Sequence, residues 1–418
     1  MESMTRTKPL GNGTIAEPAL SVNNSETRVA LLTGGIDRSY TFGLAMELSS
    51  KGVCLDLIGS DFVDFPQFHG NPQINFLNLQ GSQQPDVSSV NKTLRLLAYY
   101  FRLVRYAASA KPRIFHILWN NKFHFLDRTL LMLYFQWSGK KIVLTVHNVN
   151  KARRDSKDSF FNRFTLLMQY RLAQHIFVHT GQMKCELIQE FGVRDDRITV
   201  IPFGINNSLQ DSPLSQAEAR QRLGIYGTKK VILFFGRIAP YKGLQYLLSA
   251  FQQISIGNNE YQLVIAGRPE NDYREFWNSL LKQIGNQVNS GDVVIKAEYI
   301  PDDETEVYFK AADVLVLPYK QIYQSGVLFL GQSFGLPVIV SDIGSLRDDI
   351  LEGENGFVFS PGDAGELAEK LISYFKSDLY KNLPRLRHKI KHDAARRHSW
   401  DHVGSLTTGV YEQMLSSS

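Results

Sequence analysis

Residues 231–251 read VILFFGRIAPYKGLQYLLSAF, and the order of residue types in this stretch decides what the chain is built from. An apolar run (Val231, Ile232, Leu233, Phe234, Phe235) stops at Gly236. Arg237 comes at once, and Lys242 stands where a helical pattern opens (Leu244, Leu247, Leu248, Phe251). A buried strand leading into an amphipathic helix is the repeating unit of a parallel α/β sheet. Ligands of such sheets bind at the carboxyl edge of the strands. A guanidinium and an ammonium fixed there supply a fork and a point charge suited to a diphosphate. The plainer alternative is a strand, loop and helix that carry two solvated cations.

The same alternation runs outward in both directions. Towards the N-terminus, strands are expected at Arg28–Leu32, Val53–Ile58, Ile114–Trp119, Ile142–Thr145, His175–Val178 and Ile198–Ile201. Towards the C-terminus they are expected at Leu263–Ala266, Val293–Lys296, Val314–Leu317, Val338–Val340 and Gly356–Phe359. Helical segments separate them, which is the doubly wound α/β pattern given twice. Pro202-Phe203-Gly204-Ile205 and the polar stretch to about Pro213 read as the link between the two. The expected organisation is a disordered tail over 1–26, a first domain over 27–205, a second over 206–398, and a closing helix in 399–418.

Three further places carry chemistry. Thr33-Gly34-Gly35 comes after the first strand and opens a helix, so its amides are suited to an anion or a sugar hydroxyl. Val146-His147-Asn148 puts an imidazole at another strand's carboxyl end. Leu315–Pro337 runs from a strand through a loop to Ser325-Gly326 and a helix that stops at Gly335. Ser325 is expected to cap that helix, leaving the amides of Gly326 and Val327 to face the same diphosphate as Arg237 and Lys242.

The bulk numbers fit a globular protein: 418 residues, 43% hydrophobic and 21% charged. Two cysteines, Cys54 and Cys185, form neither a disulfide framework nor a four-ligand zinc site, and a reducing cytoplasm is the expected location. No apolar run reaches the roughly 18–20 residues of a membrane span. The net charge of +5 is uneven: Lys92 to Arg171 holds sixteen Lys/Arg against three Asp, or +13, leaving −8 elsewhere. That asymmetry points to an anionic partner, either membrane headgroups or a phosphorylated ligand, or to a merely solvated basic surface. Within it, 92–108 reads as a helix with Leu94, Leu97, Phe101 and Val104 on one face and Arg95, Tyr99, Arg102 and Tyr106 on another. A surface helix with its stripe on the core is the first expectation, and a membrane-interface helix the second. The segment KARRDSKDSFFNR at 151–163 reads as a charged, mobile loop. The pairs His388/His392 and His398/His402 have helical spacing but lie among Lys and Arg, so a solvated helix is expected rather than a metal site. No Asp-x-Asp pair occurs, and no metal, cofactor or nucleic-acid partner is expected.

These motifs together resemble the retaining family 4 glycosyltransferases of the GT-B fold, over nearly all of Arg28 to Leu415. The resemblance is carried by GG at 34–35, TVHN at 145–148, IPFGIN at 201–206, FFGRIAPYKGLQYLLSAF at 234–251, LVIAG at 263–267 and SGVLFLGQSFGLPVIVSDIG at 325–344. It implies two Rossmann-like domains facing across a cleft, a last helix crossing back to the first, and a nucleotide-sugar between them. By position, Gly236, Arg237 and Lys242 would hold the donor diphosphate with Ser325, Gly326 and Val327. His147 and Asn148 would lie by the donor sugar, Gly34 and Gly35 would approach the donor from the other domain, and Tyr299 and Ile300 would hold the base. The two glutamates of the family fall here on Ile322 and Leu330, which cannot accept hydrogen bonds through their side chains. Tyr319, Tyr323 or Gln332 are the substitutes at hand. The implied activity is transfer of a hexose from a nucleoside-diphosphate sugar to a glycan or lipid-linked acceptor, with retention and without metal. Two alternatives are a sugar-nucleotide epimerase, whose acid/base carboxylates are not identifiable, and a non-catalytic sugar-nucleotide-binding subunit of a glycan-assembly complex.

Overall fold

Apolar runs bounded by glycine or polar residues become strands that lie buried in two parallel sheets. The computed structural model describes residues 27–417 except 36, 83–88, 122, 156 and 206–211. The expected tail over 1–26 and part of the expected link lie outside the described residues. The first sheet holds β1 (Arg28–Leu32), β2 (Cys54–Gly59), β3 (Ile74–Asn78), β4 (Ile114–Ile117), β5 (Lys141–Val146), β6 (His175–Val178) and β7 (Ile198–Val200), in the order β3-β2-β1-β4-β5-β6-β7. The second holds β8 (Lys230–Phe235), β9 (Tyr261–Ala266), β10 (Val293–Lys296), β11 (Val314–Leu317), β12 (Val338–Ser341) and β13 (Gly356–Phe359), in the order β10-β9-β8-β11-β12-β13. All the pairings are parallel; Leu31, for example, lies opposite Leu57 on one side and His116 on the other. The strand order reverses between β1 and β4 and again between β8 and β11, so each sheet has a crevice at that point.

Helices cover the sheets for reasons visible in their sequences. Helix α1 (Arg38–Ser50) starts at Asp37, whose carboxylate accepts the Tyr40 amide at 3.0 Å, and buries Leu44, Ala45 and Leu48 on the first sheet. Helix α2 (Ser89–Ser109) corrects an expectation. Its apolar stripe of Leu94, Leu97, Phe101 and Val104 faces outward, while Tyr99, Tyr100, Leu103 and Ala107 are buried. The reason lies in the tyrosine tips. Tyr100 donates to Asp127 Oδ1 at 2.8 Å and Tyr106 to Asp56 Oδ2 at 2.6 Å, so large rings are buried with their hydroxyls satisfied.

Residues 126–137 form a π-turn, Leu126–Leu130, continued by α3 (Leu131–Trp137). The charged segment over 151–163 is helical at both ends: Asn150 caps a short helix, Lys151–Arg154, and Ser159 caps α4 (Phe160–Leu172). Next along the chain are α5 (Gly181–Phe191), α6 (Leu244–Ser255), α7 (Gly326–Ser333) and α8 (Leu383–Arg397).

The last helix, α9 (Trp400–Ser416), lies against α1 of the first sheet. Its Trp400 ring fills the space left by Gly43 and Gly204 and donates to the Ile205 carbonyl at 2.6 Å. His398 departs from the solvated pair expected: it is buried 4.3 Å from the Phe329 ring and bonded to Asp349 Oδ1 at 2.9 Å. Its three counterparts, His388, His392 and His402, are exposed. Among the described residues no group of three or more His, Cys, Asp or Glu is placed to hold a metal, and no helix is long and apolar enough to cross a membrane.

Candidate active site

The carboxyl ends of β1, β4, β5 and β6 bring Gly34–Gly35, Trp119, His147 and His179 to one edge of the first sheet. Gly34 and Gly35 have φ of +62° and +67°. A Cβ on Gly34 would lie 2.7 Å from the Trp119 carbonyl oxygen, and one on Gly35 2.4 Å from Gln80 Oε1, so the turn admits only glycine.

Trp119 stacks flat on His147 at 4.2 Å. His179 Nδ1 lies 3.3 Å from the Ile201 carbonyl and must donate to it, which leaves His179 Nε2 to accept from His147 Nδ1 at 3.0 Å. His147 therefore keeps a lone pair on Nε2, sheltered from solvent and without a partner in the protein. Burial holds both rings neutral: it pushes His179 down to about 4, and together with the neighbouring His179 and His116 it puts His147 well below the ordinary imidazole range. This arrangement offers a fixed neutral acceptor, suited to a hydroxyl.

On the second sheet the loops after β8 and β11 interlock. Gly243 has φ +67°, and a Cβ there would meet the Pro318 carbonyl oxygen at 1.7 Å. The Lys320 amide donates to the Tyr241 carbonyl at 2.8 Å. Gly236, at φ +104°, lies so close to Val327 that a Cβ would come within 3.3 Å of its Cγ2. The segment 236–242 and the start of α7 are thereby held side by side at the crossover.

Lys242 is buried with its Nζ 3.8 Å above the Tyr319 ring. Burial, and after it the repulsion of Arg237 and Arg154, pushes its ammonium down to about 7. Arg237 is largely exposed, with one nitrogen 3.4 Å from Glu270 Oε1. Ser325 occupies the N-cap position of α7 but does not cap it; its buried hydroxyl lies 3.4 Å from that of Tyr319. The first-turn amides of Gly326 and Val327 are thus left without the cap expected for them.

The two edges meet. The Arg154 guanidinium lies 4.2 Å over the Tyr241 ring, Phe203 stacks on Phe329 at 5.5 Å, and the Tyr323 hydroxyl donates to Glu186 of α5. That bond occupies the Tyr323 hydroxyl, so it is a strut between the halves and not a free group for a ligand. Between them lies an open cavity of about 980 Å³. Gly34, Gly35, His147, Asn148 and Arg237 line it, as expected, and Gly236, Lys242, Ser325, Gly326 and Val327 stand behind or beside Arg237 without forming its wall.

Tyr299 is exposed and Ile300 buried in the core of the second sheet; neither lines the cavity. Ile322 and Leu330 pack partly buried against that same core. The sequence did not single out Trp119, His179 or Arg154. The first two stand just past strand ends as His147 does, which was the available signal; Arg154 was hidden in a run of charges. Among the described residues five Arg/Lys side chains line the cavity (Arg95, Arg128, Lys151, Arg154, Arg237), and no Asp or Glu does. Such a wall suits a polyanion.

Two family models match along the chain: glycosyltransferase family 4 over residues 34–209 and glycosyl transferases group 1 over residues 215–397. The chain belongs to this glycosyltransferase family. An uncharacterized glycosyltransferase of Methanocaldococcus jannaschii is 30% identical over 59% of this chain and 61% of its own length, so the match spans less than two thirds of that relative. The D-inositol 3-phosphate glycosyltransferase of Acidothermus cellulolyticus is 24% identical over 92% of this chain and 86% of its own. Among solved structures, Anabaena HepE in complex with UDP-glucose superposes with a TM-score of 0.68 at 18% identity, covering 94% of this chain and 99% of that one. At that identity the likeness speaks for the fold, and the glycosyltransferase thus has the two-sheet architecture of its structural neighbours.

Proposed function

We propose that this glycosyltransferase moves a hexose from a nucleoside-diphosphate sugar to a glycan or lipid-linked acceptor, with retention and without a metal. One observation carries this: the strand-end loops of the first sheet, with Arg237 from the second, line a cavity whose charged wall is wholly cationic among the described residues. HepE, which shares the fold, was solved with UDP-glucose, and a nucleoside-diphosphate hexose is the matching donor class here. Departure of the nucleoside diphosphate develops negative charge on its phosphates. Arg237 lines the cavity and would meet that charge, with Lys242 and the amides of Gly326 and Val327 behind or beside it, and preorganised cations and dipoles lower such a barrier. The neutral ring of His147 lines the cavity and would stand by the sugar, orienting the reacting carbon. Closure of the halves excludes water, which otherwise competes with the acceptor. Basic segment 92–171 places the protein on an anionic membrane face.

Arg237→Ala and Lys242→Ala are each expected to lower turnover by about 10²–10³, by analogy with loss of one oxyanion-hole donor, while the fold survives. A thermal-shift screen against UDP-, GDP-, ADP- and dTDP-sugars identifies the donor, because ligand binding raises apparent stability by mass action. A folded double variant with unchanged kinetics removes diphosphate binding from this site.

A further inference from the structure

The first half of the chain exposes an apolar surface that its own core does not need. Helix α2 presents Leu97 and Phe101 to solvent, α3 presents Leu133 and Trp137, and α4 presents Phe160 and Phe161. Phe101, Trp137 and Phe160 are 70%, 86% and 88% exposed, far beyond what scattered surface hydrophobes require. The three helices form one face. Tyr134 of α3 donates to the Val104 carbonyl of α2 at 3.1 Å, Gln136 of α3 to the Leu172 carbonyl of α4 at 2.7 Å, and Phe125 stacks on Phe161 at 5.7 Å.

This face runs into the cavity. Phe123 is exposed and also lines the cavity wall. Arg95 lines it too, flanked on α2 by the exposed Leu94 and Leu97. Arg95 reaches the Ser82 carbonyl. Arg128 bonds Asn162 Oδ1 at 2.9 Å and Thr165 Oγ1 at 3.2 Å, while its buried Nε has no partner. The donor diphosphate of the proposed transfer accounts for Arg237 in the wall. Of the four other cations in the wall, Arg154 lies over Tyr241 with Lys151 on the same short helix, while Arg95 on α2 and Arg128, bonded to α4, stand beside the exposed apolar helices.

We propose that the acceptor is an amphiphile with a phosphorylated head: the head enters the cavity between Arg95 and Arg128, and the lipid tail leaves past Phe123 into a bilayer in which the α2–α3–α4 face is seated. The inference rests on the proposed transferase function and names its acceptor class. Charge and polarity choose this occupant over a protein partner. The exposed apolar side chains share these helices with the exposed Arg102, Arg105 and Arg163, the face lies in the segment that carries +13, and its cavity end is cationic. Side chains seated at a headgroup boundary are stabilised by burial, and nearby Lys/Arg by anionic lipid.

The test uses the full chain with vesicles of phosphatidylcholine, alone and mixed with phosphatidylglycerol, in flotation, and with farnesyl phosphate, farnesol and inorganic phosphate in thermal shift. Binding to vesicles is expected, stronger with phosphatidylglycerol. Phe101→Asp, Trp137→Asp and Phe160→Asp should each weaken it by about tenfold or more, with donor-induced stabilisation unchanged as the check on folding. Farnesyl phosphate should stabilise the protein more than farnesol or phosphate does, and Arg95→Ala with Arg128→Ala should abolish that effect while the donor effect remains. The proposal is overturned if the Asp variants bind vesicles like the parent, if farnesyl phosphate has no effect beyond that of phosphate, or if the face mediates self-association without vesicle binding. Loss of all donor stabilisation with amphiphile binding intact would instead break the transferase reading and leave this site standing.

Discussion

Helix α6 turns Leu244, Leu247, Leu248 and Phe251 into the second sheet, all without exposed surface, whereas α2 turns Leu94, Leu97, Phe101 and Val104 away from the first. Both helices carry a clean apolar stripe at helical spacing. What separates them is the rest of each helix. Ala250 and Ile254 of α6 are buried with that stripe, and its other positions are Gln, Ser and Tyr246, so only one face can be buried. In α2 the competing face carries Tyr99, Tyr100, Leu103 and Tyr106, and the surrounding chain supplies Asn121, Asp127 and Asp56 to meet the hydroxyls. A tyrosine ring with a satisfied hydroxyl buries as much area as an aliphatic side chain or more. Helical periodicity therefore marks a surface without saying what covers it. In the second half the cover is the sheet; in the first half the stripe is left exposed.

The sharpest break of this contrast is a matched pair of truncations. Phe251→Ala should cost about 3–5 kcal/mol, while Phe101→Ala should change stability by only about 0.5 kcal/mol in either direction. Denaturant unfolding of both variants measures it, and comparable losses would show that the α2 stripe is core after all. Next comes the rigid junction on which the second half depends. Gly243→Ala forces a Cβ against the Pro318 carbonyl at a left-handed φ and should cost about 2–3 kcal/mol. The same substitution at Gly52, also at positive φ but with nothing near it, should cost about 1 kcal/mol.

Lys242 gives a smaller effect with a definite sign. Its folded-state value of about 7 lies below the roughly 10.4 of an unfolded lysine. The unfolded chain therefore binds the extra proton between those values, and stability should rise with pH from about 7 to about 10. Lys242→Met should flatten that slope and stabilise the free protein by about 1–3 kcal/mol at neutral pH, while abolishing donor-induced stabilisation. A variant that keeps the slope would mean that Lys242 is not the group that titrates. The smallest effect is expected at Tyr323→Phe, about 1 kcal/mol, since it removes only the strut to Glu186 and leaves both sheets intact.

Much of the site could be read from the order of residues. Parallel strands buried on both faces are largely unbroken apolar runs, so β6 and β11 were legible to the residue, and the residues just past a strand's carboxyl end lie at the sheet's ligand edge. That rule found Gly34, Gly35, His147, Asn148 and Arg237, which line the cavity. It missed β3, INFLN, because Asn75 interrupts its apolar run and only Ile74 is fully buried. It also missed Arg154, whose charge looked like its solvated neighbours until Tyr241 of the other half was seen beneath it.

The sequence by itself determined the two parallel sheets, their crossover loops and the family, because strand, glycine, cation and helix start are local patterns written in consecutive residues. Only the tertiary structure decided that Lys242 sits on Tyr319 instead of in the cavity wall, that Ser325 leaves its helix uncapped, that His179 sets the tautomer of His147, and that α2 faces outward. Each of these depends on a partner distant in the chain, and which of two competing faces or partners is desolvated is settled by the packing as a whole.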